Sequence, residues 1–147
     1  MPYRKAIYAE LKPEVKSRLW TEHLTHYRRT HPDLSPKQQQ ILGDLEASVR
    51  NVSAFRANPT DTQAEDERLR LATIDAFGHD EARALMATLG PVEVTSPSEA
   101  LAVDCECSRQ SNFCGLAFDC SGLPSCTASF DGCGWRWQYP CDGMCTL

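Results

Sequence analysis

The residues with the densest capacity for chemistry in this 147-residue chain are its eight cysteines. They are Cys105, Cys107, Cys114, Cys120, Cys126, Cys133, Cys141 and Cys145, so all lie in the last third. Thiols at this density either oxidise to disulfides or hold a soft metal. The intervening stretches run one, six, five, five, six, seven and three residues. Structural zinc draws its thiolates as close pairs two to four residues apart. Only Cys141 and Cys145 fit that pattern, and the segment contains no histidine. Turn residues fill the gaps: Gly115, Ser121-Gly122, Pro124-Ser125, Asp131-Gly132, Gly134 and Asp142-Gly143. About forty residues cannot bury enough apolar surface to fold without a staple. Four disulfides, each worth about 2–4 kcal/mol, are sufficient. Disulfides with no cofactor are therefore the preferred reading and zinc the alternative. Disulfides also imply an oxidising compartment. Which cysteines pair is not readable from spacing.

Other reactive groups are sparse. The four histidines all precede Cys105. His23 and His26 stand three apart beside Glu22, a spacing that can hold a metal, but further ligands are not evident and a rim position is the simpler reading. Metalloprotease, hydrolase, P-loop and dinucleotide fingerprints are absent, as is a redox C-x-x-C, so an enzyme is not expected. Net charge is −5 and basic residues do not cluster with aromatics, which argues against nucleic acid. A run of about 18 apolar residues is also missing, so a transmembrane segment is not expected. The opening residues, Met1 to Glu10, carry a basic patch without a following apolar stretch, unlike an ordinary secretory signal.

Trp135, Trp137 and Tyr139 alternate with Arg136 and Gln138. Strand spacing would place the three rings on one face, with Phe113, Phe118 and Phe130 available to join them. They either cover the disulfides as a small core or form an exposed platform for a membrane or target. From Asp104 onward, five acids outnumber two arginines. A peptide that adsorbs to anionic lipid by charge should be cationic. Binding to a target-cell envelope or receptor would thus fall to the aromatics: Trp135, Trp137, Tyr139, Phe113 and Phe130.

The elements that must position these groups divide by composition. Residues 1–90 read as an α-helical domain of three or four helices. Pro13 opens one helix, whose face carries Val15, Leu19, Trp20, Leu24 and Tyr27 and which stops before Pro32. Ser35-Pro36-Lys37-Gln38 is a capping box that starts the next, with Ile41, Leu42, Leu45, Val49 and Val52 in one stripe. The short break between them predicts an antiparallel pair. Thr62-Gln63-Ala64-Glu65 reads as a second capping box ahead of Leu69, Leu71, Ile74 and Phe77, with Ala64 to Arg70 as a solvated charged face. A short helix after Gly78 would end at Gly90. Residues 91–103 read as a linker, and Ala100-Leu101-Ala102 has the small-x-small form of a processing site, with Ala102 the candidate residue. Residues 104–147 form a disulfide-rich module with little regular structure beyond a short β-hairpin.

The module also carries a recognisable pattern. Cys105-Glu106-Cys107-Ser108-x-x-Ser111-x-Phe113-Cys114 comes first, followed by Cys120 and Cys126. Gly132-Cys133-Gly134-x-x-Trp137-x-Tyr139-x-Cys141-x-Gly143 completes it. This resembles the fulvocin C-related bacteriocin proteins over about the last 43 residues. The resemblance implies a precursor of a secreted, disulfide-stapled antibacterial peptide. The chain would be made in the cytoplasm with a helical leader that keeps the peptide soluble and inactive. A dedicated exporter or maturation protease would then deliver the C-terminal module outside. The alternative is a cytosolic interaction protein with a zinc-bound module of the four-cysteine type.

Overall fold

A computed structural model of the chain describes residues 2–56, 58–89, 105–115, 118–122 and 126–146. The candidate processing residue Ala102 and the whole of segment 91–103 lie outside the described residues, as does the side chain of Phe130.

Five helices form the N-terminal region: α1 (Pro2–Ala9), α2 (Pro13–Thr30), α3 (Pro36–Arg50), α4 (Pro59–Phe77) and α5 (His79–Met86). Pro13 and Pro36 occupy first-turn positions, where a missing N–H leaves no bond unmade. The capping box at α3 forms in full: the Gln38 N–H donates to Ser35 Oγ at 3.1 Å, and the Ser35 N–H donates to Gln38 Oε1 at 3.0 Å. Ser17, near the start of α2, donates its hydroxyl to the Val49 carbonyl near the end of α3, as helices joined by a short loop require. A 3₁₀ turn over Val52–Phe55 follows α3.

Three expectations are corrected. Helix α1 is additional; its eight residues are too few to stand alone, and tertiary packing through buried Tyr8 holds it. Helix α4 begins at Pro59, so Thr62 is not a cap but an interior residue, donating its hydroxyl to Asp66 Oδ2 at 2.9 Å. Helix α5 ends at Met86 rather than Gly90, which lies outside the described residues. Gly78, at φ 87°, takes the left-handed turn that separates α4 from α5.

The C-terminal segment contains four short strands: β1 (Asp119–Ser121), β2 (Ser129–Cys133), β3 (Tyr139–Cys141) and β4 (Met144–Thr146). They pair antiparallel as β1 with β4 and β2 with β3, the latter with an irregularity between Ser129 and Cys133. Four disulfides join Cys105 to Cys126, Cys107 to Cys120, Cys114 to Cys145 and Cys133 to Cys141.

The chain that divides by composition does not divide in its packing. Tyr8, Trp20, Leu24, Leu42, Leu45, Val49, Phe55, Leu69, Leu85 and Met86 share one core cluster with Phe113, Trp135, Trp137 and Tyr139. The cystines make two smaller clusters of their own, one around Cys105, Cys133 and Cys141, the other around Cys107, Cys114 and Cys120. No helix among the described residues is long and apolar enough to cross a membrane.

Candidate functional site

The aromatic run is not an alternating strand. Trp135–Trp137 forms a 3₁₀ turn between β2 and β3, and the Cys133–Cys141 disulfide closes the base of this loop. Arg136 and Trp137 both take positive φ, 61° and 55°. For residues with a Cβ this costs roughly 1–2 kcal/mol each, so packing must hold the loop in place. Gly134 turns the chain into the loop at φ 68°, and a Cβ there would lie 2.6 Å from Ser111 Cβ and 3.1 Å from Tyr139 Cβ. That close approach accounts for the second glycine of Gly132-Cys133-Gly134. Ser111 Oγ in turn accepts from the Trp135 N–H at 3.2 Å.

All three rings are buried: Trp135 and Tyr139 at 0 % exposure and Trp137 at 1 %. They cover helices, not cystines. Trp20 of α2 meets Trp135 and Trp137 edge-on, with ring centroids 5.6 and 6.1 Å away. Tyr8 of α1 meets Trp137 edge-on at 5.2 Å, and Lys5 Nζ sits 5.3 Å from the same ring and 3.9 Å from Cys133 Sγ. In the intact chain, therefore, the rings neither form an exposed platform nor act as a lid on the disulfides. Strand spacing misplaces them because the left-handed residues Arg136 and Trp137 fold the run into a turn.

Polar bonds tie the loop to the helices. Trp137 Nε1 donates to the Ala87 carbonyl at 2.8 Å. The Tyr8 hydroxyl accepts from Trp20 Nε1 at 2.8 Å and donates to the Arg136 carbonyl at 3.1 Å. The Arg136 guanidinium, 1 % exposed, lies 5.7 Å from the Phe55 ring. Its Nη1 donates to Ser48 Oγ of α3 at 2.8 Å and its Nη2 to Asp66 Oδ2 of α4 at 3.0 Å. The same carboxylate oxygen accepts from the Tyr139 hydroxyl at 2.6 Å. Burial pushes the Arg136 pKa down, and the facing Asp66 carboxylate opposes that shift. Burial pushes the Tyr139 and Tyr8 hydroxyls well above the ordinary phenol value, so both remain protonated donors.

Sequence reading missed Asp66 and Arg136 as partners. The charged run around Asp66 reads as a solvated face, yet Asp66 is 3 % exposed. A signal was present: Thr62, Asp66, Leu69 and Thr73 recur at helical spacing, and the last three are buried. The acid thus shares the stripe that faces the core. Glu65 and Arg68 do face outward and pair with each other, whereas Arg70, paired to Glu67, is mostly buried. Arg70 also reaches across to the Asn112 carbonyl at 2.9 Å.

Phe113 is buried in the shared core and Phe118 is 47 % exposed. His23 lies against Trp20, with Nε2 2.8 Å from the Ala84 carbonyl, while His26 is exposed. The sulfurs of Cys107, Cys114 and Cys120 lie within 4.8 Å of one another, which is metal-ligand proximity. They belong to two disulfides, so they offer thiolates to zinc only after reduction. Comparison with family models, curated proteins and solved structures finds no match for this chain.

Proposed function

We propose that this chain is the precursor of a secreted, disulfide-stapled antibacterial peptide. In this reading the helical region is a leader that keeps the peptide inactive by occupying its aromatic loop. The observation that carries it is the burial of Trp135, Trp137 and Tyr139 against Trp20, Tyr8 and the Ala87 carbonyl. An acidic module has no charge-driven route to an anionic envelope, so its large rings are the groups able to engage a cell, and the helices hide them. The likeness of the Cys105–Gly143 pattern to fulvocin C-related proteins points the same way, as does a cystine framework suited to an oxidising exterior. The exporter or maturation protease would act on the segment around Ala102, and the target-cell envelope or a receptor on it would be the partner.

The deciding measurement is the intact mass, under denaturing conditions, of the product recovered from culture medium. A species beginning within 91–104 and lacking eight cysteine hydrogens supports the precursor reading. An uncut chain retained in the cell with free thiols and bound zinc overturns it in favour of a zinc-binding interaction module. The convergence of the Cys107, Cys114 and Cys120 sulfurs is what favours that second reading.

A further inference from the structure

We infer that cutting the connection between residues 90 and 104 does not release the module, and that the helical region persists as its tightly bound inhibitor in trans. The inference rests for its biological sense on the precursor reading, but its physical grounds are separate. A leader that acts only through its covalent link need not share a core with its cargo. Here Trp135, Trp137 and Tyr139 complete the core of the helices, with Tyr8 of α1, Trp20 of α2 and Asp66 of α4 against them. Three such rings carry about 450–750 Å² of surface, part of it covered within the module by Ser111 and Gly134 and the rest by the helices; a stable protein complex typically buries ~800 Å² per partner. Phe113 adds to the same cluster.

The polar contacts have the character of an interface centre. The Arg136–Asp66 pair is fully desolvated, with side-chain exposures of 2 % and 3 %. It is ringed by Trp135, Phe55 and Tyr139. A buried arginine and clustered tryptophans shielded from water are the features that dominate binding energy. Contacts also come from α1 through Tyr8, α2 through Trp20, α3 through Ser48 and α4 through Asp66. The occupant of the helical groove is therefore defined: it is the Cys133–Cys141 loop of this chain. Proteolysis would leave a complex, and activation would need a second event that separates the pieces.

The chain carries its own reporter, because its three tryptophans, Trp20, Trp135 and Trp137, all sit in this contact. A recognition sequence for a specific protease is placed within 91–104 of the full, oxidised chain, and cleavage is driven to completion. The expected result is co-elution of both pieces at about 1 μM with unshifted tryptophan emission, since interfaces of this kind hold at micromolar or tighter. Separate elution with red-shifted emission at about 10 μM overturns the inference. The Asp66→Ala chain, cut in the same way, should show a dissociation constant raised ~10²-fold or more. Leu71→Ala, at a residue 56 % exposed on α4, should leave it unchanged. If Asp66→Ala does not fold, dilution of the cut wild-type complex still reads the constant. Killing is not measured here. Separation of the pieces therefore leaves the antibacterial reading standing, and an inactive module leaves the complex standing.

Discussion

Removing the Asp66 carboxylate is the sharpest perturbation of this fold. Asp66 Oδ2 accepts from Arg136 Nη2 at 3.0 Å, the Tyr139 hydroxyl at 2.6 Å and the Thr62 hydroxyl at 2.9 Å. With both members of the ion pair almost wholly out of water, solvent screening does not soften the loss. Asp66→Ala leaves a buried guanidinium with Ser48 as its remaining side-chain acceptor outside its own loop, and such breakage costs about 3–5 kcal/mol. Against a total stability of about 5–15 kcal/mol, that is a large fraction. The urea midpoint of the oxidised chain should fall by about 2 M for a slope near 2 kcal/mol/M. Tryptophan emission reports the transition. Adding Arg136→Met to Asp66→Ala removes both charges and should recover about 1–3 kcal/mol of that loss, the remainder being the cavity and the Tyr139 hydroxyl left without this acceptor. The double change is then much less costly than the two single changes added together. A single variant within about 1 kcal/mol of wild type, or strict additivity in the pair, would refute the claim that the charges hold each other in the core.

Burial holds His23 below its ordinary pKa of 6.5. The unfolded chain therefore binds the proton first, and this part of the stability is present above about 6.5 and lost as pH falls through the folded value. His23→Gln should shrink the drop in urea midpoint between about pH 7.5 and pH 5; an identical drop in both proteins counts against the assignment. Among the disulfides, loop length ranks the losses: removing Cys114–Cys145, 31 residues apart, should cost roughly 3.7 kcal/mol, and removing Cys133–Cys141, 8 apart, roughly 2.5 kcal/mol. Denaturation of the paired Cys→Ala variants checks the order, and its reversal rejects the loop-entropy account. Trp135 Nε1 is buried without a hydrogen-bond partner among the described residues, whereas Trp137 Nε1 holds the Ala87 carbonyl. Trp137→Phe should therefore cost about 1–3 kcal/mol more than Trp135→Phe by the same measurement, and equal costs would rule out that bond as a stabilising contact.

Local signals carried most of the helical region. The Ser35 capping box, the N1 prolines and the apolar stripes of α2 and α3 are written within single turns of chain, and each appears where the residues place it. What local signals do not carry is the destination of a face. The Trp20 and Leu24 stripe needed a partner, and nothing within α2 says that the partner is a loop more than a hundred residues away. Helix α1 is invisible for the same reason: Tyr8, deeply buried, is defined by Trp137 and the Arg136 carbonyl. Cysteine density implies disulfides but not their pairing: Cys120 and Cys145 stand opposite each other in the β1–β4 register, yet they bond to Cys107 and Cys114. Alternation misplaces Trp135 to Tyr139 because it implies a strand only where no residue enters the left-handed region, and Arg136 and Trp137 both do.

The strained loop connects these observations. Arg136 and Trp137 hold positive φ because their side chains are gripped by Asp66, Ser48 and Ala87 and by the rings of Trp20 and Tyr8. Those grips all come from the helical region. Deprived of them, the loop would keep its disulfide staple but lose the packing that offsets roughly 2–4 kcal/mol of backbone cost at the two residues. The same loss would leave two tryptophans and a tyrosine exposed to water. The module's conformation and its concealment are therefore one energetic quantity. A site that pries Trp135 and Trp137 from Trp20 would gain the rings and the relief of the turn together. A competitor for this loop should accordingly offer an apolar surface for the rings and a carboxylate for Arg136, the two features that α1 to α4 now present.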